Sequence, residues 1–261
     1  MKIHEYYRET ANINLNGSIA SLIPTILIVV GNLSFINNRE IMLLTIPFLI
    51  YSLISFQLYL FRMKQSIAIS RKMTKSKSFH QSFFEASHLL VLNMNTHSSK
   101  LLLYFPNGHL AGMIKRYRGM GLNNLRLSKV YALYNSYGNA IGFFVIKHRK
   151  VIRVEVYDQR RKYLGMLRKR NQGFRKSKKE LFDEERRYVG AVEGSAVFMD
   201  EQVVNNSNRH LGRLRRGWMP LEWSPLFPEP NTPVLSFREN LSEEDKLLRM
   251  SLLINEFVIE R

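Results

Sequence analysis

The pattern of apolar and polar positions divides this chain into an apolar front and a patterned remainder. From Ile41 to Phe61 it reads IMLLTIPFLIYSLISFQLYLF with no charged residue. As a helix this is about 30 Å long, enough to cross a bilayer core. Phe56, Tyr59 and Phe61 cluster near its end, where a span leaves the hydrocarbon. Pro47 is tolerable there, because neighbouring helices can re-satisfy freed backbone groups. A second uncharged stretch, Gly17 to Ile36, precedes it and holds LIPTILIVVG. It reads either as the first arm of a helical hairpin or as a signal peptide. Its late start and the lack of a small-residue cleavage site favour the hairpin. Only Asn37, Asn38, Arg39 and Glu40 separate the two stretches.

Past residue 80 the texture changes. Short runs rich in Val, Ile, Phe and Tyr alternate with Gly, Asn, Asp and Lys turns, as in VYALYNSYGNAIGFFVI and VIRVEVYDQRRKYLGMLRK. Each reads as strand, turn, strand. In the second, Val154 and Val156 fall on one face, and Arg153, Glu155 and Tyr157 on the other, a half-buried alternation. Several hairpins in succession predict an antiparallel sheet, closed as a barrel or folded as a sandwich. Gly112, Gly142, Gly165 and Gly212 recur in one phase, each one residue after Ala111, Ile141, Leu164 or Leu211. Glycines so placed mark a shared bend or the close approach of a central element. At the C-terminus, Ser242-Glu243-Glu244-Asp245 opens a helix in capping-box style. Leu247, Leu248, Met250, Leu252, Leu253, Ile254, Phe257 and Val258 then lie nearly all round a helical wheel. A helix apolar on all sides must be buried on all sides. Arg249, Asn255 and Glu256 interrupt it, and it is too short for a third span.

The segments LLLYFPNGHLAGMI, YALYNSYGNAIGFFVI, VEVYDQRRKYLGML, RHLGRLRR and DKLLRMSLLINEFVIE, in that order, resemble the tubby C-terminal-like fold. Tubby proteins, phospholipid scramblases, plant LURP-one-related proteins and several bacterial proteins share that fold. The resemblance covers about Ser87 to Arg261. It implies a closed antiparallel barrel of about twelve strands around a C-terminal helix, and phosphoinositide headgroups as ligands of basic side chains. Scramblases carry their membrane segment at the C-terminal helix, whereas here two apolar stretches precede the domain.

The expected fold class is therefore α+β: an N-terminal transmembrane hairpin, then a closed antiparallel β-barrel around a hydrophobic C-terminal helix. The expected layout is a short N-terminus over 1–16 and two spans within 17–62, at about 17–36 and 41–61. A basic juxtamembrane linker over 63–80 follows, then the barrel domain over 81–261 with its helix at about 243–258.

Charge adds a direction. Lys and Arg outnumber Asp and Glu by 39 to 21, a formal net charge of +18, which draws polyanions. Arg62, Lys64, Arg71, Lys72, Lys75 and Lys77 follow the second span, with no acid until Glu85. The positive-inside rule then places both termini and the barrel in the cytoplasm, as a multi-pass protein of the cell membrane. The same residues would interact with an anionic leaflet. A denser run follows: Arg160, Arg161, Lys162, Arg168, Lys169, Arg170, Arg175, Lys176, Lys178 and Lys179, without an acid and with Tyr163 and Phe174 interleaved. A second cluster, Arg209, Arg213, Arg215 and Arg216, lies beside Trp218. Such density suits phosphate and equally a solvated loop. The segment WMPLEWSPLFPEPNTP holds both tryptophans; its prolines exclude a central strand. Trp218 and Trp223 are expected to pack on the barrel, with insertion into a bilayer interface as the alternative.

Catalytic signatures are missing from the sequence. There is no cysteine, no HExxH, GxSxG or Walker motif, and the seven histidines lack metal spacing. Gly119-Met120-Gly121 lacks a third glycine, and Asp183, Glu184 and Glu185 read as a solvated turn. The expectation is a non-enzymatic, cofactor-free module that binds anionic phospholipid headgroups or an acidic protein partner. The alternatives are a membrane-tethered nucleic-acid binder and a scramblase-like lipid transporter.

Overall fold

The computed structural model describes residues 1–36, 38–73, 81–95, 99–118, 129–148, 151–171, 177–195, 199–207, 209–238 and 241–259. The chain divides into two compact units, Met1–Lys77 and Ser78–Arg261.

The first unit is a helical hairpin. Helix α1 spans Ile3–Gly31 and continues as a wider turn over Asn32–Ile36. A short α2, Arg39–Met42, is capped by the Asn38 side chain, which accepts the Glu40 amide at 2.9 Å. A tight turn over Leu43–Thr45 then leads into α3, Ile46–Met73. Pro47 stands in the first turn of α3, where a missing amide costs nothing. Both arms are long and apolar enough to cross a membrane. Their burial is inverted relative to a water-soluble helix pair: Ser18, Ser21, Thr25, Ser52 and Ser55 are buried, while Leu27, Leu33, Phe35 and Leu43 are exposed. The seam is tied by Ser18 and Ser52, whose hydroxyls lie 3.0 Å apart, and by Ser52 donating to the Ser18 carbonyl at 3.1 Å.

Two boundaries differ from expectation. Residues 3–16 are not a separate tail but the first turns of α1, and residues 63–73 belong to α3 rather than to a linker. Neither segment contains a helix-breaking proline. Ser66 donates to the His4 carbonyl at 2.7 Å, and the Arg62 guanidinium lies 5.6 Å from the Tyr7 ring, so the arms stay paired beyond the apolar stretches.

The second unit is a closed antiparallel barrel. Its strands are β1 (His88–Asn95), β2 (Ser99–Tyr104), β3 (Leu110–Arg116), β4 (Lys129–Asn135), β5 (Ala140–His148) and β6 (Ile152–Asp158). They continue as β7 (Tyr163–Asn171), β8 (Ser177–Phe182), β9 (Tyr188–Ser195), β10 (Asp200–Asn205), β11 (His210–Arg215) and β12 (Val234–Phe237). Each strand pairs with its sequence neighbour, and β12 closes on β1 through Ser236 opposite His88. Closure removes every free sheet edge.

Alternate connections fall at one end of the barrel and share one turn. The amides of Phe105, Asn135, Asp158, Asp183 and Asn205 each donate to the carbonyl four residues on. In four of these turns the first side chain also accepts the amide of that residue, as Asp158 does from Lys162 at 2.8 Å. A short polar side chain that mimics the backbone is what such a turn selects.

Beyond each turn the pairing slips by one residue. Ala111, Ile141, Leu164, Val189 and Leu211 are the unpaired residues of these bulges, and a glycine follows each. The glycine phase seen in the sequence is thus a repeated β-bulge, with Gly190 as a fifth member. Two of these glycines also make room. A Cβ at Gly142 would meet Leu247 Cδ1 at 2.6 Å. One at Gly165, where φ is +144°, would strike the Phe182 carbonyl and approach Leu248 at 3.2 Å.

Those leucines belong to α4, Glu243–Ile254, which continues as a wider turn over Asn255–Ile259. Ser242 caps it by accepting the Asp245 amide at 3.1 Å. Every residue from Lys246 to Phe257 is buried, so the barrel wall surrounds the helix. Its apolar side chains merge with Val91, Leu133, Phe144, Val156, Leu167 and Leu235 in one core. The cations that interrupt it find oxygen acceptors, although Arg249 Nε is left without one. Lys246 donates to the Phe84 carbonyl, and Arg249 to the Asp245 carbonyl at 2.7 Å and its carboxylate at 2.8 Å.

The Gly165 geometry yields a stability test. Gly165→Ala combines left-handed strain with a clash against backbone and should cost about 2 kcal/mol or more. Gly212→Ala, whose Cβ would meet nothing closer than 3.4 Å, should cost less than about 1 kcal/mol. Urea unfolding of the intact protein in detergent reads both; equal losses would contradict the bulge geometry.

Candidate functional site

The basic run of the sequence does not form one patch. Strand β7 carries it from one end of the barrel to the other. Arg160, Arg161 and Lys162 sit exposed in the β6–β7 turn, where Lys162 pairs with Glu184 at 3.1 Å. Arg168 lies on the outer wall, Lys169 faces the opposite side of β7, and Arg170 and Lys178 stand exposed at the far rim. Arg175 and Lys176 lie outside the described residues. Of the second cluster, Arg213 is held by both oxygens of Asp200 at 2.7 Å. Arg215 lies with its guanidinium 3.9 Å from the Trp218 ring, and Arg216 donates to the Asn231 carbonyl at 3.3 Å.

Lys179 corrects the expectation most sharply. On β8 the alternation places it with Leu181 on the inner face, and its side chain is 4% exposed. Its ammonium contacts Glu201 of β10 and reaches Glu256, just past α4, at 2.6 Å. Burial alone would lower its pKa, but Glu201 and then Glu256 outweigh that and hold it above the usual lysine range. Lys179 fastens the C-terminal end of the helix to the wall and is not available to an external anion. Carboxylates also neutralise others of the set: Glu180 takes Arg168 at 2.7 Å and Lys178 at 2.9 Å.

Strand pairing assembles a different site. Lys147 on β5 lies opposite Arg153 on β6, and Arg153 opposite Arg168 on β7, a row of three cations across the outer wall. The next row toward the turns carries Glu155, Met166 and Phe182, and the one beyond it Tyr157 and Tyr163. These side chains, with Arg186 from the β8–β9 turn, line a depression of about 480 Å³. Glu155 is spoken for: Lys147 donates to it at 2.8 Å and the Tyr157 hydroxyl at 2.9 Å. Burial, then that hydrogen bond, pushes the Tyr157 phenol far above the usual range, so it stays a neutral donor. The Arg168 guanidinium rests 4.2 Å from the Phe182 ring, and the two tyrosine rings meet edge to face at 5.5 Å.

Arg153 and Arg186 are exposed and have no acidic partner among the described residues. Arg186 also holds φ at 64°, the left-handed position that glycine fills in two sister turns. That conformation costs a non-glycine residue about 1 kcal/mol. Lys147 and Arg168, at the two ends of the row, already meet Glu155 and Glu180, so an anion laid there would chiefly answer Arg153 and Arg186. Sequence reading missed Lys147, Arg153 and Arg186 as site residues; the two-residue alternation from Tyr157 and Glu155 along β6 leads to Arg153, and the β5–β6 register to Lys147.

The Trp-rich loop is divided. Trp223 packs with its ring centroid 5.6 Å from that of His88, and buried Phe227 lies against Tyr104 at 6.3 Å. Trp218 is 68% exposed and Leu221 87%, against the expectation that both tryptophans pack on the barrel. Among the described residues no group of three His, Asp or Glu side chains is arranged to hold a metal ion. No family model, curated protein or solved structure matches this chain.

The internal ion group has a measurable consequence. Lys179→Met leaves two carboxylates buried without their cation and should destabilise the barrel by about 3–5 kcal/mol. Adding Glu201→Gln and Glu256→Gln to that variant should recover part of the loss. Urea unfolding checks both. With a folded pKa raised above its unfolded value, Lys179 stabilises fully below the unfolded lysine pKa, and that contribution fades as pH climbs through the folded one.

Proposed function

We propose that this protein is a membrane-anchored, non-enzymatic module whose barrel binds the anionic headgroup of a phospholipid. The single observation that carries the reading is the exposed pair Arg153 and Arg186, without an acidic partner among the described residues, in an aromatic-floored depression beside Lys147 and Arg168. A phosphate or carboxylate there would meet Arg153 and Arg186 and would accept forked hydrogen bonds from them. The apolar hairpin supports the lipid as source. Its exposed aliphatic face and buried hydroxyls suit hydrocarbon as solvent, and Arg62, Lys64, Arg71 and Lys72 at the end of α3 favour the cytoplasmic leaflet. The tubby-like resemblance, with its closed barrel around a C-terminal helix, points to the same ligand class.

The test is a titration of the full chain, held in phosphatidylcholine nanodiscs, with soluble dihexanoyl phosphatidylserine or dihexanoyl phosphatidylcholine. The serine lipid should bind at least tenfold more tightly, and added salt should weaken it. Arg153→Glu with Arg186→Glu should remove the preference while the chain still unfolds in one cooperative transition. Equal binding of the two lipids would overturn the reading and leave an acidic protein as the better ligand.

A further inference from the structure

The up-and-down topology sorts charge by barrel end. At the end bearing the five similar turns, acids and bases are mixed and several are paired. Lys162 meets Glu184, and Arg187 meets Asp183 and Glu185, both at 2.8 Å. Glu243, Glu244 and Asp245 open α4 at that same end. The opposite rim differs. Arg116 and Arg118 at the end of β3, Lys129 at the start of β4, Arg170 at the end of β7 and Arg216 after β11 all surface there. Each is exposed and has no acidic partner among the described residues, although Asp200, Glu193 and Glu222 lie at the same rim and leave it with a surplus of cations rather than cations alone. From this rim the β11–β12 connection projects Trp218 and Leu221, the two most exposed large apolar side chains of the described barrel after Tyr137 is set aside. Arg215 stacks on the Trp218 ring at 3.9 Å and lies 3.9 Å from Asp200.

We infer that this rim is a bilayer-docking surface: the barrel stands end-on against an anionic leaflet, with Trp218 and Leu221 inserted at the interface. An exposed indole and leucine on a rim with a surplus of arginine match the chemistry of a headgroup layer, where Trp prefers the boundary and Arg the phosphates. Net charge complementarity favours a lipid surface over a basic or neutral protein face. This inference rests on the proposed lipid-binding function, but its residues are separate from the Lys147–Arg153–Arg168 row, so the two can fail independently.

Trp218 and Trp223 are the chain's only tryptophans, which makes the experiment direct. The full chain carrying Trp223→Phe is placed in nanodiscs of 30% phosphatidylserine in phosphatidylcholine whose acyl chains are brominated or not. Bromine should quench Trp218 emission at least twofold, and Leu221→Asp should abolish most of that quenching. The Trp218→Phe chain, reporting from packed Trp223, should be quenched little. Unquenched Trp218, or equal quenching of both tryptophans, overturns the inference even if the soluble serine lipid binds. Quenching that survives when that lipid shows no preference upholds the docking surface and removes the headgroup site alone.

Discussion

A helix with no solvent face constrains everything around it. From Lys246 to Phe257 each residue of α4 and its extension is buried, and only a wall on every side can do that. The antiparallel sheet therefore closes, and its wall bends at matched heights to clear the helix. One extra residue per returning strand supplies the bend, and the glycine after it supplies clearance for Leu247 and Leu248. The polar side chains of the helix follow the same constraint. Lys246, Arg249 and Glu256 cannot reach water, so each is met by a carbonyl or an opposite charge within the barrel.

With the interior taken by the helix, chemistry moves to the outside of the wall and to its rims. The strands set it there by register rather than by sequence density. Lys147, Arg153 and Arg168 come from three strands and meet in one row, whereas neighbours such as Arg170 and Lys179 point to different places. Glu155 and Glu180 answer the two ends of that row, and Arg153 is left with Arg186 without an acidic partner among the described residues. Those two charges are the physical basis of the proposed headgroup site, and the separate rim gives the barrel an axis along which a membrane could orient it.

Much of this was legible in the sequence. The uncharged run from Ile41 to Phe61, the glycines after Ala111, Ile141, Leu164 and Leu211, and the capped all-apolar helix lead to the observed architecture. Gly190 escaped because Asp183 to Arg187 reads as a charged stretch and hides a turn built like the others. The helical continuation of residues 3–16 and 63–73 escaped because charge was taken to end each helix, when pairing of the two arms sustains it. The basic site was misplaced for a topological reason. A linear run counts residues without regard to face or strand direction, so Lys179 was grouped with surface lysines although its alternation with Leu181 sends it inward. Pairings among β5, β6, β7 and β8 depend on bulges and turn lengths that no local pattern states.

The dependence of the barrel on its enclosed helix is most directly measured by hydrogen exchange of the intact protein across a denaturant series. Amides from Leu247 to Ile254 should exchange only through global opening, at the same free energy as those at the centres of β5, β6 and β7. Exchange of the helix through a smaller opening, while those strands stay protected, would contradict a wall built around it.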